Sequence, residues 1–212
     1  MTTLKFRLTF QEGLLGTAPN DEDVYKNFIA SKAPDATPIE DEIAAVGVDE
    51  VAEKGMTVFP RDLDGNPIIY DYQVKGFFKD ACGMLSRLTV KETDEKGKKK
   101  STVKNESGKL KAYKKEIDGL IFVEPRMIPI QINGELGICQ RPLRAQTAQG
   151  ERVALAMSEE VPAGSSIEFS VKCLNDTHAS AIREWMDYGI LRGIGQWRNS
   201  GKGRFTYEEL ID

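Results

Sequence analysis

SIEFSVKCLNDTHASAIREWMDYGILRGIGQWRNSGKGRFTY, residues 166–207, runs from a strand through a helix and a glycine-rich turn into a second strand, and its reading decides the fold. Ile167, Phe169, Val171 and Cys173 fall on alternate positions, the period of a strand with one buried face. Asn175 or Asp176 then offers a helix N-cap, and Ala179, Ile182, Met186 and Ile190 return at helical spacing until Gly193 ends the element. After the glycines, Arg204, Phe205, Thr206 and Tyr207 resume an extended pattern.

Outward from this segment, the N-terminus shows the same alternation. Leu4, Phe6, Leu8 and Phe10 alternate with Lys5, Arg7 and Thr9, which predicts a strand over 4–10. Between 13 and 69, Gly13, Gly16, Pro19, Pro34, Pro38, Gly55, Pro60 and Pro67 interrupt the chain too often for a long element, and a short helix around EDEIAAV at 40–46 is the only regular piece expected there. Val74, Phe77, Phe78, Ala81, Met84, Leu85 and Leu88 form one face of a helix over 73–88. GLIFVEP, RMIPIQI and RVALAM read as sheet, whereas CQRPLRAQTAQGER, residues 139–152, reads as a polar, donor-rich loop. The reduced order, βα, several β, then αβ, predicts a ferredoxin-like (split βαβ), RRM-like α+β sandwich with long insertions.

The chain of 212 residues, 40% apolar and 29% charged, is long enough for a sizeable core and too apolar for a disordered tail. Its three cysteines, Cys82, Cys139 and Cys173, are odd in number and far apart, which predicts buried thiols in a reducing cytoplasm. No apolar run reaches membrane-span length, and the alternating N-terminus is unlike a signal peptide, so a soluble cytoplasmic protein with no membrane partner is expected.

The net charge of −4 conceals a separation along the chain. Residues 11–62 hold twelve Asp/Glu against four Lys/Arg, and residues 87–115 hold eleven Lys/Arg against four Asp/Glu. We read these as an acidic insertion at about 13–66 and a basic insertion at about 89–118 within one domain spanning 1–212. A third basic cluster, Arg192, Arg198, Lys202 and Arg204, has no acid among residues 190–207. Phosphates respond to local fields of this kind, screened within roughly 10 Å, more than to net charge.

In that cluster Gly193, Gly195, Gly201 and Gly203 flank a basic turn carrying Trp197. Glycines permit positive φ and close backbone approach, the cations supply charge, and the indole supplies a stacking face. The spacing is not that of a Walker loop, because Gly195 and Gly201 are separated by five residues and Lys202 precedes Gly203. Nor is it a dinucleotide fingerprint, since it follows a helix and leads into a strand. Polyanion contact and a purely structural glycine hairpin both fit the composition.

Three segments in order, PIIYDYQVKGFFKDACGML with its Lys75-Gly76 pair, SEEVPAGSSIEFSV and GIGQWRNSGKGRF, resemble the RAMP superfamily, the ferredoxin-like RNA-binding proteins of CRISPR systems. The likeness spans about 4–10, 67–88 and 152–207 and is nearest to the backbone-subunit type; the turn carrying Trp197 and Arg198 departs from the family's usual form. The resemblance implies a non-catalytic protein that oligomerises or co-assembles on single-stranded RNA, such as a guide RNA, with CRISPR-type protein partners. It places Lys75, Arg198, Lys202 and Arg204 on phosphates and Trp197 on a base; Arg141 and Arg144, in the donor-rich stretch 139–152, are read from their own composition as further nucleic-acid contacts, with loop solvation as the alternative.

Two other readings stay open. A ribonuclease would use an insertion carboxylate among Asp21, Asp23, Asp62 and Asp64, and an interaction protein, of viral or cellular origin, would borrow the fold to bind and inhibit a CRISPR complex. The single histidine, His178, has no second His or Cys beside it, so no zinc site, other metal or cofactor is expected, and His178 is expected at the surface at a helix start. No catalytic residue is assigned.

Overall fold

A computed structural model of the chain describes residues 1–20, 55–88, 90–93, 99–102, 105–147 and 150–211. The helix expected at 40–46, together with Asp21 and Asp23, lies outside them. The described elements are β1 (Thr2–Phe10), β2 (Leu14–Leu15), β3 (Ala18–Pro19), β4 (Thr57–Val58), β5 (Ile68–Tyr70), α1 (Asp71–Leu85), β6 (Val90–Thr93), β7 (Lys99–Thr102), α2 (Tyr113–Leu120), β8 (Ile121–Glu124), β9 (Met127–Gln131), β10 (Gly137–Thr147), β11 (Gly150–Val161), β12 (Ser166–Cys173), α3 (Thr177–Arg192) and β13 (Phe205–Leu210).

The main sheet has six strands in the order β13-β1-β12-β9-β5, with β8 sharing the edge of β12 with β9. Its pairings are all antiparallel. The register sets Leu4 opposite Val171, Phe6 opposite Phe169 and Leu8 opposite Ile167, so the apolar positions of β1 and β12 face the core together. The polar positions face outward and pair across strands: Arg7 meets Glu168 at 2.7 Å and Glu208 at 3.6 Å, and Lys172 meets Glu124 at 2.6 Å.

Helices α1 and α3 close the apolar side of this sheet. Phe78 of α1 lies 5.4 Å from Trp185 of α3, and Phe77 packs edge-on against Phe205 of β13 at 5.8 Å. Gly189 of α3 permits that approach, because a Cβ there would stand 2.3 Å from the Phe205 ring and 2.7 Å from the Phe77 ring.

The helix boundaries and faces correct the sequence reading in two places. Helix α1 ends at Leu85, leaving Leu88 beyond it at 60% exposure, and Cys82 takes the buried position expected of Met84. The buried stripe is set by what packs on it, and here α2 and the turn at Ser107 cover the Cys82 side, with the thiol 3.8 Å from the Ser107 carbonyl. His178 is the second correction: it is 1% exposed, with Nε2 3.2 Å from Glu116 Oε2 of α2.

Glu106 and Ser107, near the C-terminal end of the basic stretch 87–115, are tied to α3. Glu184 of α3 accepts the backbone N–H groups of Glu106 and Ser107 at 3.1 and 2.9 Å, and the Trp185 indole donates to the Ser107 hydroxyl at 2.9 Å.

A second sheet runs β10-β11-β4-β3, with β2 also on β11. Of the stretch 139–152, expected as a polar loop, residues 139–147 and 150–152 instead belong to the paired strands β10 and β11, in which Arg141 pairs with Ala156 and Arg144 with Val153. Backbone pairing satisfies the main-chain N–H and C=O groups of a strand whatever its composition, so composition alone concealed these strands. Cys139, on β10, is half-buried, which corrects the expectation of three buried thiols; Cys82 and Cys173 are buried, and burial pushes each up to about 11. Among the described residues no helix is long and apolar enough to cross a membrane.

Candidate nucleic-acid interface

The glycine-rich turn folds back against the start of α1. Gln73, in the first turn of α1, accepts the Tyr70 N–H at 2.7 Å and donates to Thr17 Oγ1 at 2.9 Å, which anchors the helix start to the segment between β2 and β3. Thr17, Gly76 and Phe77 on that side and Gly195, Gln196 and Arg198 on the other line an open groove of about 240 Å³. Two regions more than a hundred residues apart, the helix start and the glycine turn, thus share one concavity.

The turn is held by its backbone. Ile194 N–H donates to Gly203 O at 3.0 Å, Gly203 N–H to Gly13 O at 3.0 Å, and Gln11 N–H to Arg204 O at 2.7 Å. Gly203, at φ +70°, has no room for a side chain, since a Cβ would lie 1.9 Å from the Ile194 carbonyl oxygen. Trp197 is the only described non-glycine residue at positive φ, with φ 57° and ψ 31°. For an L-residue this left-handed conformation costs roughly 1–2 kcal/mol.

Contacts on both sides of Trp197 hold it there. The Arg141 guanidinium from β10 stacks over the indole with its carbon 4.3 Å from the ring centroid. The neighbouring Gln196 donates through Nε2 to the Gly16 carbonyl and to Thr57 Oγ1 at 3.0 Å, with Ser158 Oγ at 3.2 Å, and accepts from Arg141 Nη2 at 3.3 Å. Gln196 therefore joins the turn to the second sheet, a role that nothing in its local sequence signals.

Each predicted cation of the turn has an intramolecular partner. Arg198 Nη1 lies 2.6 Å from Asp80 Oδ2, and Arg192 Nε reaches the same oxygen at 3.4 Å. Lys202 Nζ lies 2.6 Å from Glu160, whose hydrogen bond holds the ammonium above its usual pKa. Arg204 Nε donates to the Ile190 carbonyl at 3.3 Å. Asp80 escaped the sequence reading because it sits 112 and 118 positions from the arginines it holds.

The other predicted contacts lie apart from this turn or bear on it differently. Lys75 is on α1, but its ammonium donates to the Asp118 carbonyl at 3.2 Å and lies 5.1 Å from the Phe122 centroid, on the side toward α2 and β8. Arg144 lies on β10 three residues beyond Arg141. Arg141 is 7% exposed, and its Nε and Nη1 have no hydrogen-bond partner. The Asp62 carboxylate accepts from Asn66 N at 2.7 Å, Asp64 N at 3.0 Å and Asn66 Nδ2 at 3.1 Å, which holds it below the usual carboxylate range and builds the DLDGN turn.

No family model and no curated protein matches the chain. Its fold is shared with solved structures. A chain of the Type III-B Cmr-beta complex bound to cognate target RNA aligns at a TM-score of 0.52 and 11% identity, over 99% of this chain and 60% of that one. A chain of a Type IV-B CRISPR complex aligns at a TM-score of 0.48 and 9% identity, over 99% of this chain and 91% of that one. The fold is thus a mixed α+β architecture shared with a chain of a CRISPR complex. This chain spans 60% of the length of the Type III-B chain.

Proposed function

We propose that the protein is a RAMP-type, ferredoxin-like subunit that binds single-stranded RNA without cutting it and assembles with other subunits in a CRISPR-type ribonucleoprotein. The carrying observation is the groove between the start of α1 and the glycine-rich turn, two of the three segments on which the family resemblance rests. The strand order supports it: β13-β1-β12 with β8 and β9 beyond, α1 between β1 and β8 and α3 between β12 and β13, agrees with the 4-1-3-2 order expected of a split βαβ sandwich.

The electrostatics of the groove favour a phosphate chain. Arg192 and Arg198 lean on one carboxylate, Asp80, so the rim keeps a net positive charge while both guanidinium groups are held in place. An RNA strand along the rim would meet preset donors of Arg198, with Lys202 and Arg204 extending the basic surface. Lys75 would contribute on the adjoining face of α1. The outer face of the main sheet is a different kind of surface, since Arg7 and Lys172 are paired there with Glu168, Glu208 and Glu124, three carboxylates against two cations. RNA binding in the manner of an exposed aromatic sheet is therefore not the mode we infer.

Anisotropy titration of a labelled single-stranded RNA at two salt concentrations tests the reading, with the same RNA incubated with and without magnesium and then sized. Salt-dependent binding with intact RNA is expected. Cleavage would replace the proposal with the nuclease reading, and no binding would end it.

A further inference from the structure

Among the predicted contacts whose side chains are described, Arg141 is the one cation that is buried without a described counterion. Its side chain comes from β10 and lies beneath the glycine turn, 7% exposed, with the guanidinium over Trp197. Its polar contact is a 3.3 Å hydrogen bond from Nη2 to the neutral Gln196, and Nε and Nη1 are buried without partners. The carboxylates of the neighbouring strand whose side chains are described are taken: Glu159 accepts from Arg61 and from the Phe59 N–H at 2.9 Å, and Glu160 holds Lys202. A buried cation with unpaired donors is costly, because desolvation is not offset by an opposite charge.

We propose that Arg141, oriented by Trp197 and Gln196, is a phosphate-binding residue for single-stranded RNA, separate from the paired cations of the turn. The inference rests on the RNA-binding reading above and assigns the principal phosphate contact within it. Stacking fixes the guanidinium plane, so the planar fork is oriented before an anion arrives. Phosphate is the favoured anion because the indole beside it offers a base-stacking surface and the adjoining groove rim is positive. Since Nε and Nη1 are covered in the free protein, the phosphate enters as the Trp197 turn moves; the glycines Gly195 and Gly201, at φ +84° and +87°, flank it. Binding therefore changes the stacked pair, and Trp197 emission reports it, read with Trp185→Phe to remove the buried second indole.

The test uses the full chain, a mixed-sequence single-stranded RNA oligonucleotide, and the variants Arg141→Met and Arg141→Lys, each with a thermal melt. Removing a charged hydrogen bond to phosphate predicts about tenfold or greater weakening for Arg141→Met, and a log-affinity versus log-salt slope smaller in magnitude by about 0.7. The melting temperature should hold or rise, since the variant deletes an unpaired buried charge. Arg141→Lys keeps the charge and loses the planar stack, so it should retain the wild-type slope with weaker affinity and serves as the folded reference if Arg141→Met does not fold. Wild-type binding with unchanged affinity in both variants, or with an unchanged slope in Arg141→Met, overturns the Arg141 site and leaves the RNA reading standing. Absence of wild-type binding overturns both. Displacement of RNA by polyglutamate as effectively as by unlabelled RNA points to a carboxylate-bearing protein partner and overturns the phosphate assignment.

Discussion

The glycine turn and the β10–β11 hairpin meet at Trp197, and both bring cations to it, but they treat charge in opposite ways. The turn places every cation against an acceptor: Arg198 and Arg192 on Asp80, Lys202 on Glu160, Arg204 on the Ile190 carbonyl. The hairpin brings Arg141 to a nearly dry site with one neutral partner. Cations of the first kind shape the turn and present a preset surface, whereas the second kind is poised for an anion from outside. A basic residue in a glycine loop is thus not by itself a phosphate contact; what matters is whether its charge is already matched.

The largest expected effect falls on the turn itself. Gly203→Ala forces a Cβ against the Ile194 carbonyl at a positive φ, so it should cost several kcal/mol, on the order of 3, or rearrange the turn. A melt close to that of the wild type, with RNA binding intact, would show that the turn does not depend on this close approach.

Next in size is the triple change Arg198→Ala, Lys202→Ala, Arg204→Ala. Because these cations are half-buried and paired, it should lower stability by roughly 1–3 kcal/mol, where solvated surface cations would leave stability within about 0.5 kcal/mol. It should also reduce the salt slope by up to about 2, at about 0.7 for each phosphate no longer neutralised. A stable triple variant with an unchanged slope would remove the turn from the interface.

Asp80→Asn separates the two roles more finely. Stability should fall by about 1 kcal/mol as two arginines lose their shared carboxylate, while RNA affinity and salt slope rise because a negative charge leaves the rim. Weaker binding would mean that the positioning of Arg198 matters more than its net field.

The smallest effect is a control outside the site. Glu209 is hydrogen-bonded through both oxygens by Arg183, at 2.6 and 2.7 Å, which holds its carboxyl below the usual range. A folded pKa below the unfolded one gives stability that is present above the unfolded value, about 4, and is lost as pH falls through the folded value. The melting difference between wild type and Glu209→Gln should therefore be present at neutral pH and vanish in acid. A difference that persists below the folded pKa would show that Arg183 contributes by packing.

The period-2 runs of β1 and β12, the helical faces of α1 and α3 and the order of these elements were legible in the chain because each is a local pattern whose burial follows from backbone geometry. The glycine turn was legible for the same reason, since positive φ leaves a mark in composition. Partners distant in sequence left no such mark. Only the tertiary structure decided that His178 is buried against Glu116, that Glu184 fastens Ser107 to the core, that 139–147 and 150–152 are paired strands, and that Asp80 and Glu160 match the cations of the turn while Arg141 stays unmatched. Those outcomes depend on which side chains meet across long stretches of chain, and the energy of a charge is set by the neighbour it meets and the water it loses.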